Sequence, residues 1–458
     1  MKPPDSVFCA RLHNKMKTLT VIFLMLTQTL FAYYDYTPYV KPAVFSLSMI
    51  MMHDVVNPPA ASRYYAYCMM GAYCILEKTD NNVAPIKKIV KNIDDIAITN
   101  GGNYNAQLAA LYCILETGRL MLPSGEDLKN DEERLIETII KKHKVKKEVA
   151  DASVAVANSI AKQIIAFAKK DNYSKLSAKL RYTPKKGDGF WYPTPPMYME
   201  AVEPNWYTVT PLVLDSAQQC KIAPPTEYSA DTLSNFYQLA MEVYNTGNTL
   251  TPEQLQVASF WDCNPFVVAT SGHMSLGFKK ISPGGHWMNI TCIAAKNAQL
   301  NFSQTIQLLA IEGITQMDAF ISCWAEKYSN NRIRPETYIN KHIDIKWQPI
   351  LQTPPFPEYT SGHSVVSGAS AEVLTYLIGN IPYTDDSETM FEIPARKFTS
   401  FRQASAEAAI SRLYGGIHFK DAIENGSVQG KAVGNCIINR LKEAGIKQFG
   451  HSTGVPEK

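Results

Sequence analysis

This chain of 458 residues has little net charge: 45 Lys and Arg stand against 42 Asp and Glu, leaving +3 at neutral pH. No Lys/Arg-rich run is interleaved with aromatics, so nucleic acid is not an expected partner. No Cys-x-x-Cys pair occurs among the cysteines at 68, 74, 113, 220, 263, 292, 323 and 436. Zinc or thioredoxin-type chemistry is therefore not expected from spacing. The one N-terminal apolar run is shorter than the ~18 residues a membrane-spanning helix needs, and no other uninterrupted apolar segment reaches that length. Strand-like alternation is scarce, and there is no repeat of solenoid period.

What remains is a chain that is 46% hydrophobic and long enough to bury a large core. Arg11, Lys15 and Lys17 precede the apolar run Leu19–Leu30, which ends in Phe31-Ala32 before polar residues. A basic start, a short apolar stretch and a small terminal residue fit the pattern of a signal peptide over 1–32, with Met1 or Met16 as the start and a membrane anchor as the alternative. The mature protein is then expected in the periplasm or outside the cell, where disulfides are permitted but their pairing is not readable. Three-and-four spacing of apolar residues predicts helices over much of 60–180, including 87–93, 108–120 and 132–170. Helical patterning resumes over 289–327, 364–377 and 398–412. Between lie two loop regions rich in Pro and aromatics, 189–207 and 260–287. The organisation expected is an N-terminal helical region over 33–288 and a C-terminal helical bundle over 289–450, an all-α protein of two packed bundles.

Three short stretches of the C-terminal third carry the chemistry: Lys327 through Arg334-Pro335, Ser361-Gly362-His363, and Ser411-Arg412 through His418. Lys327 and Arg334 lie close to two helical turns apart, so one helix face could aim both into a pocket before Pro335 ends the helix. Arg334 offers paired donors to an oxyanion, and Lys327 a compact charge. Ser361-Gly362-His363 stands before an apolar, small-residue helix, where free backbone N–H groups favour anions. Ser361 could donate its hydroxyl or only cap that helix. Gly415-Gly416 would let the chain turn so that Arg412 and His418 face one point. Neighbouring cations would hold His363 and His418 neutral. Taken singly, each stretch reads as solvated charge, a helix cap or a structural histidine. In this order they describe a site for a tetrahedral or trigonal-bipyramidal oxyanion.

Lys-x6-Arg-Pro, Ser-Gly-His and Ser-Arg-x5-His resemble the signature of the type 2 phosphatidic acid phosphatase and vanadium haloperoxidase superfamily, over about 320–425. Trp324, Phe356 and the loops at 191–206 and 260–287 resemble its vanadium-dependent haloperoxidase branch. The resemblance implies that Lys327, Arg334, Ser361, Gly362 and Arg412 hold the equatorial oxygens of vanadate. His418 would ligate vanadium, and His363 would bond the apical oxygen and act as acid–base. Lys327 would also polarise the bound oxidant. Trp324 and Phe356 would line a halide pocket, Phe356 leaning toward chloride, and Asp262 would buttress one arginine. Thr360 stands where the family has Pro, and Asp421 follows His418 at a shorter spacing than in many members, so Asp421 is given no role. The Thr-Ser-Gly-His at 270–273 falls in the upstream loop, so His273 is not the expected catalytic histidine.

The implied activity is oxidation of halide by hydrogen peroxide to hypohalous acid, with a small organic acceptor possible and vanadate as cofactor; phosphate could occupy the same site. The same residues could instead serve an acid phosphatase, His418 attacking phosphorus and His363 protonating the leaving alcohol. A secreted protein that only sequesters phosphate or vanadate is the third possibility. Oligomeric state is not readable.

Overall fold

A computed structural model describes residues 35–98, 102–195, 197–271 and 274–450. The expected signal segment and His273 lie outside these. From Thr37 onward the described elements form one compact unit. Its helices are α1 (Val40–His53), α2 (Pro58–Leu76), α3 (Ala106–Met121), α4 (Lys129–His143), α5 (Lys147–Ala168), α6 (Asn235–Asn248), α7 (Pro252–Phe260), α8 (Pro283–Asn297), α9 (Phe302–Asn330), α10 (Pro335–His342), α11 (Gly362–Ile378), α12 (Phe401–Tyr414) and α13 (Lys420–Glu443). Two small antiparallel hairpins, 267–271 with 274–278 and 383–385 with 396–398, interrupt an otherwise all-α fold.

The longest helix, α9, organises the rest. It starts on a reciprocal cap, in which the Asn301 side chain accepts from the Gln304 amide while Gln304 returns a bond to Asn301 N–H. Nearly all of it is buried, from Phe302 to Lys327. Against it lies α2, started by Asn57 and two prolines and buried along its whole length. The two backbones approach closely: a Cβ on Gly313 would stand 2.9 Å from Ala66 Cα. α2 also contacts α3 and α5, while α9 contacts α11, which packs on α12 and α13. Helix α9 is thus shared between the N-terminal helices and those that carry the sequence motifs.

Several expected helices are cut where the backbone turns. The 132–170 pattern is two helices separated at Lys144, which adopts φ +50°. The 289–327 pattern breaks over 298–301, and 87–93 forms only a short 3₁₀ turn at Ile86–Lys88. The Pro- and aromatic-rich loop at 189–207 is held by specific bonds. Trp191 N–H donates to Asn331 O and Val202 N–H to Pro355 O, while Tyr328 Oη donates to Val202 O at 2.6 Å. Further along, Asp318 on α9 accepts the amides of Leu212, Val213 and Leu214 at 2.7–2.8 Å, which fixes another irregular segment to the core. No described helix is long and apolar enough to cross a membrane.

Candidate active site

The motifs converge at the N-terminus of α11. Ser361 is its N-cap, in extended conformation, with Oγ accepting the Ser364 amide at 3.3 Å. The cap leaves the hydroxyl proton of Ser361 uncommitted. Gly362 and His363 begin the helix and face a cavity of about 50 Å³ that Arg412, His418, Asp262, Trp324 and Phe356 also line. A Cβ on Gly362 would meet nothing nearer than Trp324 at 3.8 Å. Glycine therefore keeps open space here and does not relieve a clash.

Lys327 and Arg334 are not on one helix. α9 ends at Asn330, Asn331 takes the left-handed conformation at φ +52°, and Arg334 is the N-cap of α10. The turn, and not a shared face, brings the two together. Lys327 Nζ, fully buried, donates to the carbonyls of Pro357, Glu358 and Thr360 at 3.0, 3.1 and 2.5 Å. All three of its N–H groups thus organise the loop that leads to Ser361. Burial pushes its pKa down to about 7. The three carbonyls work in the opposite sense, because a neutral amine has only two hydrogens to give. Arg334 donates from Nε to Phe356 O and from Nη1 to Ile417 O, both at 2.9 Å. Its Nη2 is buried with no partner.

His418 follows the turn at Gly415-Gly416, where Gly416 sits at φ +75°. Its Nδ1 is 2.8 Å from Glu358 Oε1, which also accepts the Phe419 amide, and its Nε2 is 3.2 Å from Arg334 Nη1. A carboxylate at Nδ1 and a guanidinium donor at Nε2 leave one arrangement: Nδ1 carries the proton and Nε2 the lone pair. Burial drives the pKa of His418 well below its usual value, and Arg334, Lys327, Arg412 and Arg332 add to this. His363 is depressed in the same way, by burial first and then by Arg412, and its Nε2 is buried and unpartnered. Both imidazoles are neutral, as expected. Desolvation is the larger cause and the cations the smaller.

Arg412 is fixed by Nη2 on the Trp261 carbonyl at 2.7 Å and by Nε on Ser411 Oγ. Asp262, the residue expected to buttress an arginine, lies beside it but directs its carboxylate to Lys280 Nζ at 2.9 Å. Trp324 and Phe356 pack with centroids 5.1 Å apart, and Trp324 Nε1 donates to Val202 O. Thr360 donates its hydroxyl to Gln429 Oε1.

Three further residues escaped the sequence reading. Glu358 holds His418. Arg332 pairs with Asp421, both carboxylate oxygens at 2.9 Å from Nη1, and Arg332 Nε lies 3.5 Å from Glu358 Oε2. Asp421, given no role from its spacing, is thus the partner of Arg332. Glu358 had one signal, an acidic residue beside the Ser-Gly-His turn, but no periodicity links it to His418.

The residues present suit an oxyanion such as vanadate. Arg334 and Arg412 are buried guanidinium groups, and a buried Arg334 donor and a buried His363 nitrogen lack protein partners. Gly362 leaves space in front of free helix N–H groups. Leaving such buried polar atoms unpaired costs roughly 1–3 kcal/mol each, and a bound oxyanion would supply the partner that the Arg334 donor lacks.

The family model for the VCPO second helical-bundle domain matches residues 307–445. The structure is similar to that titled the first bacterial vanadium-dependent iodoperoxidase, at 40% identity and TM-score 0.82, covering 88% of this chain and 96% of the other. It is also similar in fold to the holo and apo forms of a bacterial vanadium-dependent chloroperoxidase. These are 14% and 13% identical, each with TM-score 0.63 and 85% of this chain covered, with 93% and 95% of the respective chloroperoxidase chains. A search of curated proteins finds no match. The fold and the likeness across nearly the whole chain define a helical-bundle protein of the haloperoxidase and acid-phosphatase type. The chain belongs to the vanadium-dependent haloperoxidase family.

Proposed function

We propose that this protein is a vanadate-dependent haloperoxidase that oxidises halide with hydrogen peroxide to hypohalous acid. The observation that carries this reading is His418: Glu358 holds its Nδ1, its Nε2 lone pair is turned toward Arg334, and it lines a buried cavity with Arg412 and His363 while Lys327 and Arg332 act on it from nearby. Neutral imidazole in that tautomer is the form that ligates a metal centre. Vanadate held there supplies Lewis acidity that makes peroxide oxygen electrophilic without a change of oxidation state.

The protein's own groups do the rest. Arg334, through its free Nη2, and Arg412 offset the charge of the oxyanion, while Gly362 and the start of α11 present backbone N–H groups at close range. Ser361 can turn its hydroxyl proton to an oxyanion oxygen while still capping the helix. Lys327 holds the carbonyls of 357–360 and so sets where Ser361 and Gly362 stand; its charge acts on the site from behind this loop. His363 is neutral with a free Nε2, so it can take a proton from incoming peroxide and return one to a departing oxygen. Trp324 and Phe356 form an apolar wall beside the cavity that favours a weakly hydrated halide. Because the relative at 40% identity is an iodoperoxidase by its title, iodide is the halide we assign first.

We assign the C-terminal bundle that carries the site to 289–450 and the N-terminal region to 33–288, a boundary that falls within α8. The N-terminal 1–32 segment would direct the protein to the periplasm or outside the cell. Apoprotein assayed with and without orthovanadate tests the reading. Peroxide-dependent iodide oxidation that appears only with vanadate is the expected result. Hydrolysis of an aryl phosphate, inhibited by vanadate, together with no halide oxidation, would replace it with the phosphatase.

A further inference from the structure

A second cluster adjoins the anion cavity, which Cys263 lines, and takes no part in the chemistry above. Cys263, His286 and Glu388 come from the loop after α7, from α8 and from the turn after Asp385. One ligand atom from each lies within 4.8 Å of the others. His286 Nδ1 is 3.3 Å from Cys263 Sγ and 3.4 Å from Glu388 Oε1. All three side chains are buried, His286 fully and Glu388 to 1% exposure. The other imidazole nitrogen, Nε2, is 2.7 Å from Asp385 Oδ2, and Asp385 Oδ1 accepts the Ser387 amide at 3.0 Å and the Ser387 hydroxyl.

Protein–protein bonds satisfy part of this arrangement only. Nε2 faces Asp385, and Nδ1 faces both the Cys263 thiol and Glu388 Oε1, without a hydrogen bond to the carboxylate. That leaves Glu388 with both oxygens buried and no hydrogen-bond donor on either. A buried carboxyl without a donor costs several kcal/mol unless a cation answers it. The charged groups around it are His286, Lys280, Asp385 and Asp262, and Lys280 is bonded to Asp262.

We propose that Cys263, His286 and Glu388 bind a zinc-type divalent cation, with Asp385 orienting the imidazole from behind. Zn–S of about 2.3 Å and Zn–N and Zn–O of about 2.0–2.2 Å at tetrahedral angles put ligand atoms roughly 3.3–3.6 Å apart. The distances from His286 Nδ1 to Sγ and Oε1 fall in that range. Thiolate, imidazole and carboxylate together suit zinc or cobalt better than calcium or magnesium. A carboxylate on the second nitrogen of the ligating histidine fixes its tautomer and raises its basicity. Cys263 also lines the anion cavity, so a water can complete the shell from that side. Binding displaces the thiol proton, and any proton held on Nδ1 or on Glu388, to solvent; no electron is transferred. The absence of a Cys-x-x-Cys pair does not bear on this cluster, because its ligands come from three distant segments.

The cation would tie together the loop that holds Arg412 through Trp261 O, the helix α8 and the 383–388 turn. Full-length protein purified without chelator is expected to retain about one zinc per chain by elemental analysis. After exchange it should show a thiolate-to-cobalt charge-transfer band. Cys263→Ser should abolish the band. Asp385→Asn, which keeps the shape of the outer residue, should weaken zinc binding about 10–100-fold without altering the far-UV spectrum. Added orthovanadate should leave zinc content unchanged. Substoichiometric zinc in the wild type even after incubation with zinc, or a cobalt spectrum without the thiolate band, would overturn the proposal. So would a Cys263→Ser protein that binds zinc as the wild type does. All these readouts stand apart from haloperoxidase activity.

Discussion

At the residue scale, the most consequential contact is between Glu358 and His418. The carboxylate fixes the Nδ1–H tautomer and, with Arg332, forms a buried chain that ends on Asp421. Glu358→Gln keeps the volume and a possible acceptor but loses the charge. We expect vanadate affinity to fall about 10–100-fold with the fold intact, measured by calorimetric titration of the apoprotein. Unchanged affinity would mean that the tautomer is set elsewhere. Gly362→Ala is a second test, since its Cβ would enter open cavity space rather than protein. Thermal stability should be little changed, while vanadate and phosphate binding should both be lost. The candidate site groups were legible in the sequence because each stands in a short local string of fixed order and spacing. Glu358 and Arg332 were not, because their roles come from contacts across 60 and 89 residues of sequence.

At the scale of elements, what the sequence concealed was helix α13. Its mean character is polar, and Gly426, Gly430 and Gly434 occur every fourth residue, which argues against a helix on propensity. The structure gives these glycines a purpose. A Cβ on Gly430 would stand 2.3 Å from Val365 O, and one on Gly368 would stand 3.3 Å from Gly430 Cα, so α11 and α13 are in near-backbone contact. That contact seats the N-terminus of α11, where Ser361 N–H donates to Ala422 O. Gly430→Ala gains about 1 kcal/mol in helix propensity but drives a methyl into backbone, a cost of typically 1–3 kcal/mol. The net effect expected is a lower Tm and weaker oxyanion binding together, read by thermal melts with and without orthovanadate. A higher Tm would show that the two helices can separate without loss. The same scale explains why one continuous pattern over 289–327 became two helices. Apolar spacing survives a short break, whereas the capping pair Asn301–Gln304 that marks the new start needs only two residues to announce itself.

At the scale of the whole molecule, an all-α fold was readable from the scarcity of strands and the long helical periods, and the two small hairpins do not alter it. The N-terminal helices pack on the same α9 that delivers Lys327, so site and scaffold share a core. Buried acids inside that core make stability depend on pH. Glu312 on α9 is fully buried with Oε1 bonded to Ser370 and Gln316 and Oε2 unpartnered, and burial pushes its pKa up to about 7 from 4.5. Below the lower value both states are protonated. Between the two, the folded protein keeps a proton that the unfolded chain has lost, so stability falls as pH rises, and it levels off above about 7. Glu312→Gln should remove that slope and stabilise the protein at neutral pH by up to about 3 kcal/mol. Chemical denaturation at about pH 5 and about pH 8 reads the difference directly. Equal stabilisation at both would place the ionisation elsewhere.

On the proposed function, distant cations and two neutral imidazoles would surround a single oxyanion, with His418 as its ligand. A crystal structure of the protein soaked in orthovanadate, with vanadium located by anomalous scattering, tests it most directly. Vanadium is expected bonded to His418 Nε2, with oxygens within hydrogen-bonding reach of Arg334, Arg412, the Gly362 amide and His363. Vanadium bound through His363 instead, or absent from this cavity while present elsewhere, would contradict it.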